Sequence, residues 1–358
     1  MAVATGLMAS TASAQGTRPP IQLAVVGLEH DHALGFFPRL QGRTDVQLVG
    51  IVETNAELIA RYSHQFNLSS NLFYPSLATL FVKTKVQAVA TFTSTFAHER
   101  VVAACAAHGV DVMMEKPLAT NLKQAQAIAA AADWSGIQVI VNYETSWYPG
   151  NQVAYTLVHD EHQIGDIRKI VVHDGHRGPK EIGCSTNFLA WLTDPVLNGG
   201  GALNDFGCYG ADLATWLLDG QKPTSVTAVT RHIKPNVYPK VEDEATIILT
   251  YPMTEVILEP SWNWPFDRKD MEIYGQTGYV LVPQANRLLF RTAKMSAETE
   301  ITPEPVTGAM ADPLSYFTAV VRHEIKPTGL ASLPVNLIVV EILDAAHKSA
   351  RTGKRIDL

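Results

Sequence analysis

The chain has 358 residues, 46% of them hydrophobic and 18% charged, which is enough to bury a large core and to fold as two domains. Its formal net charge is -7 and no cluster of Lys and Arg breaks the acidic balance, which excludes a nucleic-acid partner held by phosphate neutralisation. Cys105, Cys184 and Cys208 lie far apart and suggest neither a disulfide framework nor a zinc site, and no segment is long and apolar enough to cross a membrane.

Residues 1–20 are rich in Ala, Ser, Thr and Gly and carry almost no charge. Ala12-Ser13-Ala14 before Gln15 has the small-residue form of a leader cleavage site, although a basic n-region is missing; the alternative is a disordered arm. Cleavage near Ala14 implies a periplasmic or secreted protein, its absence a cytoplasmic one. Ile21 to Val26 and Val46 to Val52 read as strands, the first ending at Gly27 and the second at Glu53. A helix from Asn55 to Phe66, a strand from Val86 to Phe92 and a helix from His98 to His108 follow. Val110 to Met114 is a strand, Thr120 or Asn121 caps an alanine-rich helix through Ala132, and Ile137 to Val141 is a further strand. Strands alternating with helices predict an α/β fold with a doubly wound parallel sheet over residues 21–142.

After Asn142 the pattern changes, predicting a second domain over 143–358. Pro149 to His159 reads as a helix, and a glycine run feeds another helix between Gly201 and Leu218. Strands then succeed one another at Val226 to Ile233, Glu244 to Tyr251, Thr254 to Trp262, Asp270 to Tyr274 and Tyr279 to Val282. They predict an α+β unit on a mostly antiparallel sheet, closed by helices near Pro313 to His323 and Leu333 to Arg351.

Glu115-Lys116-Pro117 stands where a buried run stops. Pro117 removes an amide donor and restrains Lys116, so the lysine is presented at a strand's carboxyl end, the edge where open α/β sheets bind ligands. A surface lysine in an ordinary loop is the alternative. Gly27 followed by a helix, with Glu53 closing the next strand, outlines a dinucleotide site in which a carboxylate takes the ribose hydroxyls and repels a 2′-phosphate, favouring NAD over NADP. Yet Gly27-Leu28-Glu29-His30-Asp31-His32 lacks the later glycines of the phosphate fingerprint. Glu29 or Asp31 beside a pyrophosphate would be unfavourable unless offset by the histidines or turned away. The alternation of His30, Asp31 and His32 offers metal-ligand types, but a polar loop beside cofactor or substrate is the preferred reading, with no metal. In the second half, Asn198 to Asp212 combines glycines with Asp205, Tyr209 and Asp212 at helical spacing, which would put all three on one helix face. A helix cap is the alternative role for Asp205.

The Glu115-Lys116-Pro117 turn, Gly27 with Glu53, His98 opening a helix, the Gly199 to Asp212 block and Glu272-Ile-Tyr-Gly-Gln-Thr-Gly278 together resemble the Gfo/Idh/MocA oxidoreductases over about Ile21 to Leu358. The resemblance implies that Lys116 contacts the substrate hydroxyl and the nicotinamide ribose, and that Asp205 orients the substrate. Tyr209 falls where many members carry a histidine acid/base and where glucose-fructose oxidoreductase-like and dihydrodiol dehydrogenase-like members carry tyrosine. Gly27, Glu29, His30, Glu53, Thr93, His98, Glu115 and Lys116 are the expected cofactor residues. His98 has the alternative of a helix-start residue with no ligand. A homodimer or homotetramer is implied as well.

For Tyr209 to accept a proton its pKa must fall, a shift expected from Lys116, itself kept protonated by Asp205. His176, Arg177 and Trp191 are expected on the substrate, with His173, Asp194, Trp262, Trp264 and Arg268 nearby; the tryptophans have core packing as their alternative. The leading reading is an NAD-dependent dehydrogenase or reductase of a sugar, glycoside or polyol. An NAD-dependent glycosidase with transient oxidation, and a carbohydrate-binding regulator without redox function, are the alternatives.

Overall fold

The computed structural model describes residues 18–358, so the leader reading at Ala14 lies outside the described residues. The first half is a six-stranded parallel sheet of β1 (Ile21–Val26), β2 (Val46–Val52), β3 (Phe73–Tyr74), β4 (Ala88–Thr91), β5 (Asp111–Glu115) and β6 (Val139–Asn142). Their order is β3-β2-β1-β4-β5-β6, so the direction of winding reverses between β1 and β4. That reversal opens a crevice at the carboxyl edge. Every residue of β4 and β5 is buried, because helices cover both faces and the strands need no polar side.

On one face α1 (Ala33–Leu40) and α2 (Ala56–Phe66) contribute Phe36, Phe37, Leu58 and Tyr62 to a cluster with Leu23, Val25, Ile51 and Met113. The other face takes α3 (Leu77–Lys83), α4 (His98–Ala106) and α5 (Leu122–Ser135), through Leu80, Val101, Cys105 and Ile128. Asn55 and Asn121 accept backbone amides at the first turns of α2 and α5.

The second half has α6 (Pro149–Tyr155), β7 (Ile167–Gly175), α7 (Thr186–Leu192), α8 (Ala202–Asp205) and α9 (Gly207–Leu217). The strands β8 (Ser225–Arg231), β9 (Glu244–Thr250), β10 (Glu255–Ser261), β11 (Arg268–Gly275), β12 (Gly278–Gln284), β13 (Arg287–Thr292) and β14 (Thr299–Ile301) follow. With β15 (Ile356–Asp357) these form a nine-stranded sheet ordered β14-β13-β12-β11-β7-β10-β9-β8-β15, in which only β7 and β10 pair in parallel. Two-residue alternation places Ile170, Val172, Ile247, Leu249, Val256, Leu258, Met271 and Ile273 on the buried face. There α8, α9 and the long α11 (Leu333–Thr352) pack. α10 (Pro313–Val321) returns to the parallel sheet, where Leu314, Phe317 and Val320 join the cluster of α1 and α2. Among the described residues no helix is long and apolar enough to cross a membrane.

Two sequence expectations are corrected. The segment after the glycine run is two helices and not one, broken at Phe206, so Asp205 does not share a continuous helix face with Tyr209 and Asp212. β3, α3, α7, β13 and β14 are further elements that the periodicity did not announce.

The glycine run lies flush against Glu242, whose carboxylate accepts the amides of Gly201 (2.7 Å) and Leu203 (3.2 Å) while its carbonyl accepts that of Ala202 (3.0 Å). A Cβ on Gly201 would stand 1.9 Å from the Glu242 carbonyl oxygen. Gly201→Ala is therefore expected to cost about 1–3 kcal/mol and to lower the unfolding temperature by about 5 °C. Gly35→Ala, in an open helical position, should be neutral or stabilise by up to about 1 kcal/mol. Thermal melts of the two variants side by side check the contrast; equal melting temperatures would refute it.

Candidate active site

β5 delivers Lys116 to the carboxyl edge of the parallel sheet, and the Lys116–Pro117 peptide is cis. The lysine is buried, and its Nζ donates to Asp205 Oδ1 at 2.5 Å and to the Asp205 carbonyl at 3.0 Å. Trp262 Nε1 donates to the second carboxylate oxygen at 3.0 Å. Burial pulls the ammonium down, but the charge and hydrogen bond of Asp205 outweigh it and leave the lysine raised. Burial likewise pushes the Asp205 carboxyl up, and the Lys116 charge, its hydrogen bond and His176 hold it below the usual range. The pair is thus ionised in a buried setting, with every partner supplied.

Tyr209, in the first turn of α9, lies with its ring centroid 5.0 Å from Lys116 Nζ and 4.9 Å from Lys269 Nζ. The two ammoniums interact favourably with its ring. The expected lowering of its pKa is not what the structure gives. Burial, followed by the charge of Glu144, pushes the phenol well above its usual value, so it is a neutral O–H. Asp212, the third member of the expected trio, is fully buried and takes no part in the Lys116 contacts.

A cavity of about 680 Å³ adjoins this cluster, lined by His176 and Phe206 with Glu144, Tyr148, Asp267 and Lys269. Lys269 binds Glu144, to which Tyr148 also donates at 2.8 Å. His176 Nδ1 accepts the Gly178 amide at 2.9 Å, so the ring proton sits on Nε2, and burial keeps the imidazole below its usual pKa. His176 therefore offers a neutral donor to the cavity. Arg177 is exposed and does not line it; its carbonyl accepts from Lys234.

A second cleft, of about 440 Å³, opens where the sheet reverses, lined by Gly27, Glu29, Glu53, Thr54, Ser76, Thr93 and Arg100. Gly27 has φ +78° and any Cβ would meet Thr93 Cγ2 at 2.6 Å and the Phe92 carbonyl at 3.0 Å, so only glycine brings the backbone this close. The cleft fits the adenosine half of a dinucleotide, with Glu53 at the end of β2 where a ribose would lie. The loop differs from an ordinary phosphate cradle. Glu53 accepts the amides of Leu28 (2.9 Å), Thr54 (2.7 Å) and Asn55 (2.8 Å), and Glu29 accepts that of Ser94 (2.6 Å). Asp31 turns away and accepts the amide of Ser185, the N-cap of α7, at 2.7 Å.

His30 is buried against Phe188 and Trp191, at 4.6 and 5.2 Å between ring centroids. Trp191 Nε1 donates to the Glu29 carbonyl at 3.4 Å, which places this residue over the Gly27 to His32 loop, and it does not line the cavity beside His176. His32 Nδ1 lies 2.8 Å from Glu115, whose other oxygen accepts from Asn142 at 2.9 Å. His30, His32 and Glu115 bring ligand-type atoms within 4.8 Å of one another, and the His32 amide donates to His30 Nδ1 at 3.2 Å. His98 is buried with Nδ1 at 3.2 Å from the Leu118 carbonyl, pushed down to about 4 by burial, and lines neither cleft.

Sequence reasoning missed Glu144, Tyr148, Lys269 and Arg100. Glu144 and Tyr148 had a usable signal, because they follow β6 at the same edge as Lys116. Lys269 had none, since only the pairing of β11 with β7 brings it over Tyr209.

A family model described as "Oxidoreductase family, NAD-binding Rossmann fold" matches residues 21–143, and one described as "GFO/IDH/MocA C-terminal domain" matches residues 154–281. Trans-1,2-dihydrobenzene-1,2-diol dehydrogenase of Xenopus laevis is 26% identical over 257 residues, 70% of this chain and 74% of that protein. The scyllo-inositol 2-dehydrogenase (NADP(+)) of Bacillus subtilis is 22% identical over 318 residues, 85% of this chain and 89% of its own length. The fold is similar to that of an inositol dehydrogenase homologue from Azotobacter vinelandii crystallised with NAD+, with a TM-score of 0.82 at 19% identity, covering 95% and 98% of the two chains.

The Lys116–Asp205 pair fixes a pH signature. Lys116 is raised, so its share of stability is complete below the unfolded value of about 10.4 and is lost as pH climbs through its folded value. Asp205 is depressed, so its share is complete above about 3.9 and is lost as pH falls through its folded value. Asp205→Asn leaves the ammonium buried without its carboxylate and should cost about 3–5 kcal/mol at pH 7. That deficit should shrink as pH approaches about 10.4, where the unfolded lysine also loses its proton. Urea unfolding at pH 7 and pH 10 measures it, and a deficit that does not change with pH sinks the assignment.

Proposed function

The chain belongs to the Gfo/Idh/MocA oxidoreductases, and from that premise we propose that it transfers a hydride between NAD and a secondary hydroxyl or keto group of a sugar, glycoside or polyol. Residues 21–142 serve the cofactor, while 143–358 serve the substrate and the self-association of a dimer or tetramer. The observation that carries the reading is the ionised Lys116–Asp205 pair, buried beside Tyr209 where the substrate cavity begins. The nicotinamide, when bound, supplies or takes up the hydride. NAD is preferred to NADP because Glu53 puts a carboxylate where a 2′-phosphate would have to lie.

The protein's own groups handle position and the proton. Lys116 donates to the reacting oxygen and steadies negative charge developing there, while Asp205 keeps the ammonium charged and in place. His176 Nε2–H and the Lys269–Glu144 pair hold neighbouring hydroxyls, and the faces of Phe206 and Tyr148 take the C–H side of the ring. Tyr209 is the proton handler. A phenol kept neutral by burial is ready to give its proton to a carbonyl oxygen, which suits reduction at neutral pH; oxidation needs the phenolate and should quicken as pH rises. A binding-only role would leave this charged cluster without a purpose, and the glycosidase alternative would show tightly held cofactor and released sugar without free NADH.

Mass spectrometry of the copurifying cofactor, followed by a panel of aldoses, glycosides and cyclitols monitored for NADH, tests the reading directly. Lys116→Ala should lower turnover by about 10³ or more while NAD affinity by calorimetry is kept, and Tyr209→Phe should cost about 10²–10⁴ in rate. Substantial residual turnover in Lys116→Ala overturns these assignments.

A further inference from the structure

The turn between β1 and α1 has committed most of the amides that a phosphate would take. The Gly27 amide donates to the Val52 carbonyl at 2.9 Å, that of Leu28 to Glu53 Oε2 at 2.9 Å and that of His30 to the Phe92 carbonyl at 3.1 Å. The His32 amide donates to His30 Nδ1 at 3.2 Å, and that of Ala33 to the His30 carbonyl at 3.0 Å. Between Gly27 and Ala33 this leaves the amides of Glu29 and Asp31. A phosphate cradled by a glycine-rich turn is held by several such amides together, so here a large part of its charge must be met by a side chain.

The side chains of the turn do not supply that charge. His30 is buried against Phe188 and Trp191, and burial above all keeps it neutral. His32 is turned to Glu115, and Asp31 to the Ser185 amide. Glu29 does face the cleft, at the second glycine position of the fingerprint, and Glu53 lines the same cleft. Burial pushes the Glu29 carboxyl up; the Ser94 amide opposes that, the Glu53 charge adds to it and the Arg100 charge opposes it again. Arg100 is the single cationic side chain among the residues lining the cleft. It sits in the first turn of α4, is exposed, and enters no ion pair among the described residues. An exposed arginine is ordinarily a solvated surface group, but this one borders a concave site that holds two carboxylates and has no carboxylate partner of its own.

We propose that Arg100 holds the pyrophosphate of the dinucleotide, taking over from the amides that the turn has committed elsewhere and working against the charge of Glu29. The proposal rests on the reading of this cleft as the cofactor site. A guanidinium offers paired N–H donors that match two oxygens of a phosphate, and it keeps its charge at every working pH. A pyrophosphate carries two negative charges into a cleft that already contains Glu29 and Glu53, and Arg100 is the group there that can balance them. Its charge acts on Glu29, a residue of the phosphate turn, which favours the pyrophosphate over an adenosine 2′-phosphate beside Glu53. Arg100 and Glu29 then act as an opposed pair: the first draws the dinucleotide in, and the second limits how firmly it is held.

Calorimetry on the intact protein, freed of copurifying nucleotide, tests this with adenosine, ADP-ribose, NAD and NADP as ligands. Arg100→Gln should weaken ADP-ribose, NAD and NADP alike by about tenfold to a hundredfold and leave adenosine, which has no phosphate, unchanged. Arg100→Lys should lose less, since it keeps the charge and gives up the paired donors. Added salt should weaken ADP-ribose more steeply in wild type than in Arg100→Gln. Glu29→Gln, whose amide oxygen can still accept from Ser94, should tighten ADP-ribose and NAD severalfold. Arg100 is exposed, so its variants should melt with the wild type. Unchanged affinities in Arg100→Gln overturn the proposal. So does a loss confined to NADP, which would put Arg100 on the 2′-phosphate, or an equal loss for adenosine, which would put it on the nucleoside. A wild type that binds none of the dinucleotides overturns the cofactor reading itself, and the proposal with it.

Discussion

The ion pair between Lys116 and Asp205 is the constraint around which the rest is arranged. Neither charge could be buried alone, because an isolated ion inside a protein costs far more than its pairing returns. The lysine comes from the parallel sheet and the aspartate from the mixed-sheet half, so the two sheets meet where these charges meet. The break between α8 and α9 follows from the same contact. Lys116 and Cys208 both donate to the carbonyl of Asp205, an oxygen that a continuous helix would have turned inward to its own ladder. The lysine therefore ends one helix, and Tyr209 begins the next already facing the ammonium.

Much of this was legible in the chain, for physical reasons that can be named. β2 spans Val46–Val52, as its apolar run indicated, with Gln47 the single polar and exposed position within it. Lys116 was legible because Pro117 punctuates the run before it. β3 was not, since two residues carry no period, and Lys269 was not, since strand register across the second sheet brings it over Tyr209. The neutral state of Tyr209 was not legible, because the chain shows the neighbouring lysine but not the depth of burial, and desolvation is the larger effect.

The cofactor loop shows how a familiar outline can carry unfamiliar chemistry. The glycines that usually leave amides open to phosphate are replaced by Glu29 and His32, and Glu29 and Glu53 satisfy amides of this edge themselves. α7 closes over the same loop through Ser185, Phe188 and Trp191. The loop is thereby stiffened by its own side chains and by the opposite half of the protein, a task that backbone glycines alone do not perform.

Both sheets end in short strands: two residues in β3, four in β6, three in β14 and two in β15. A strand that short offers a neighbour too few free amides and carbonyls to template a further strand. Extension of either sheet into a ribbon shared between molecules is closed off at all four margins. Any contact between copies of this chain would have to be made through broad faces and helix surfaces, where it depends on side chains.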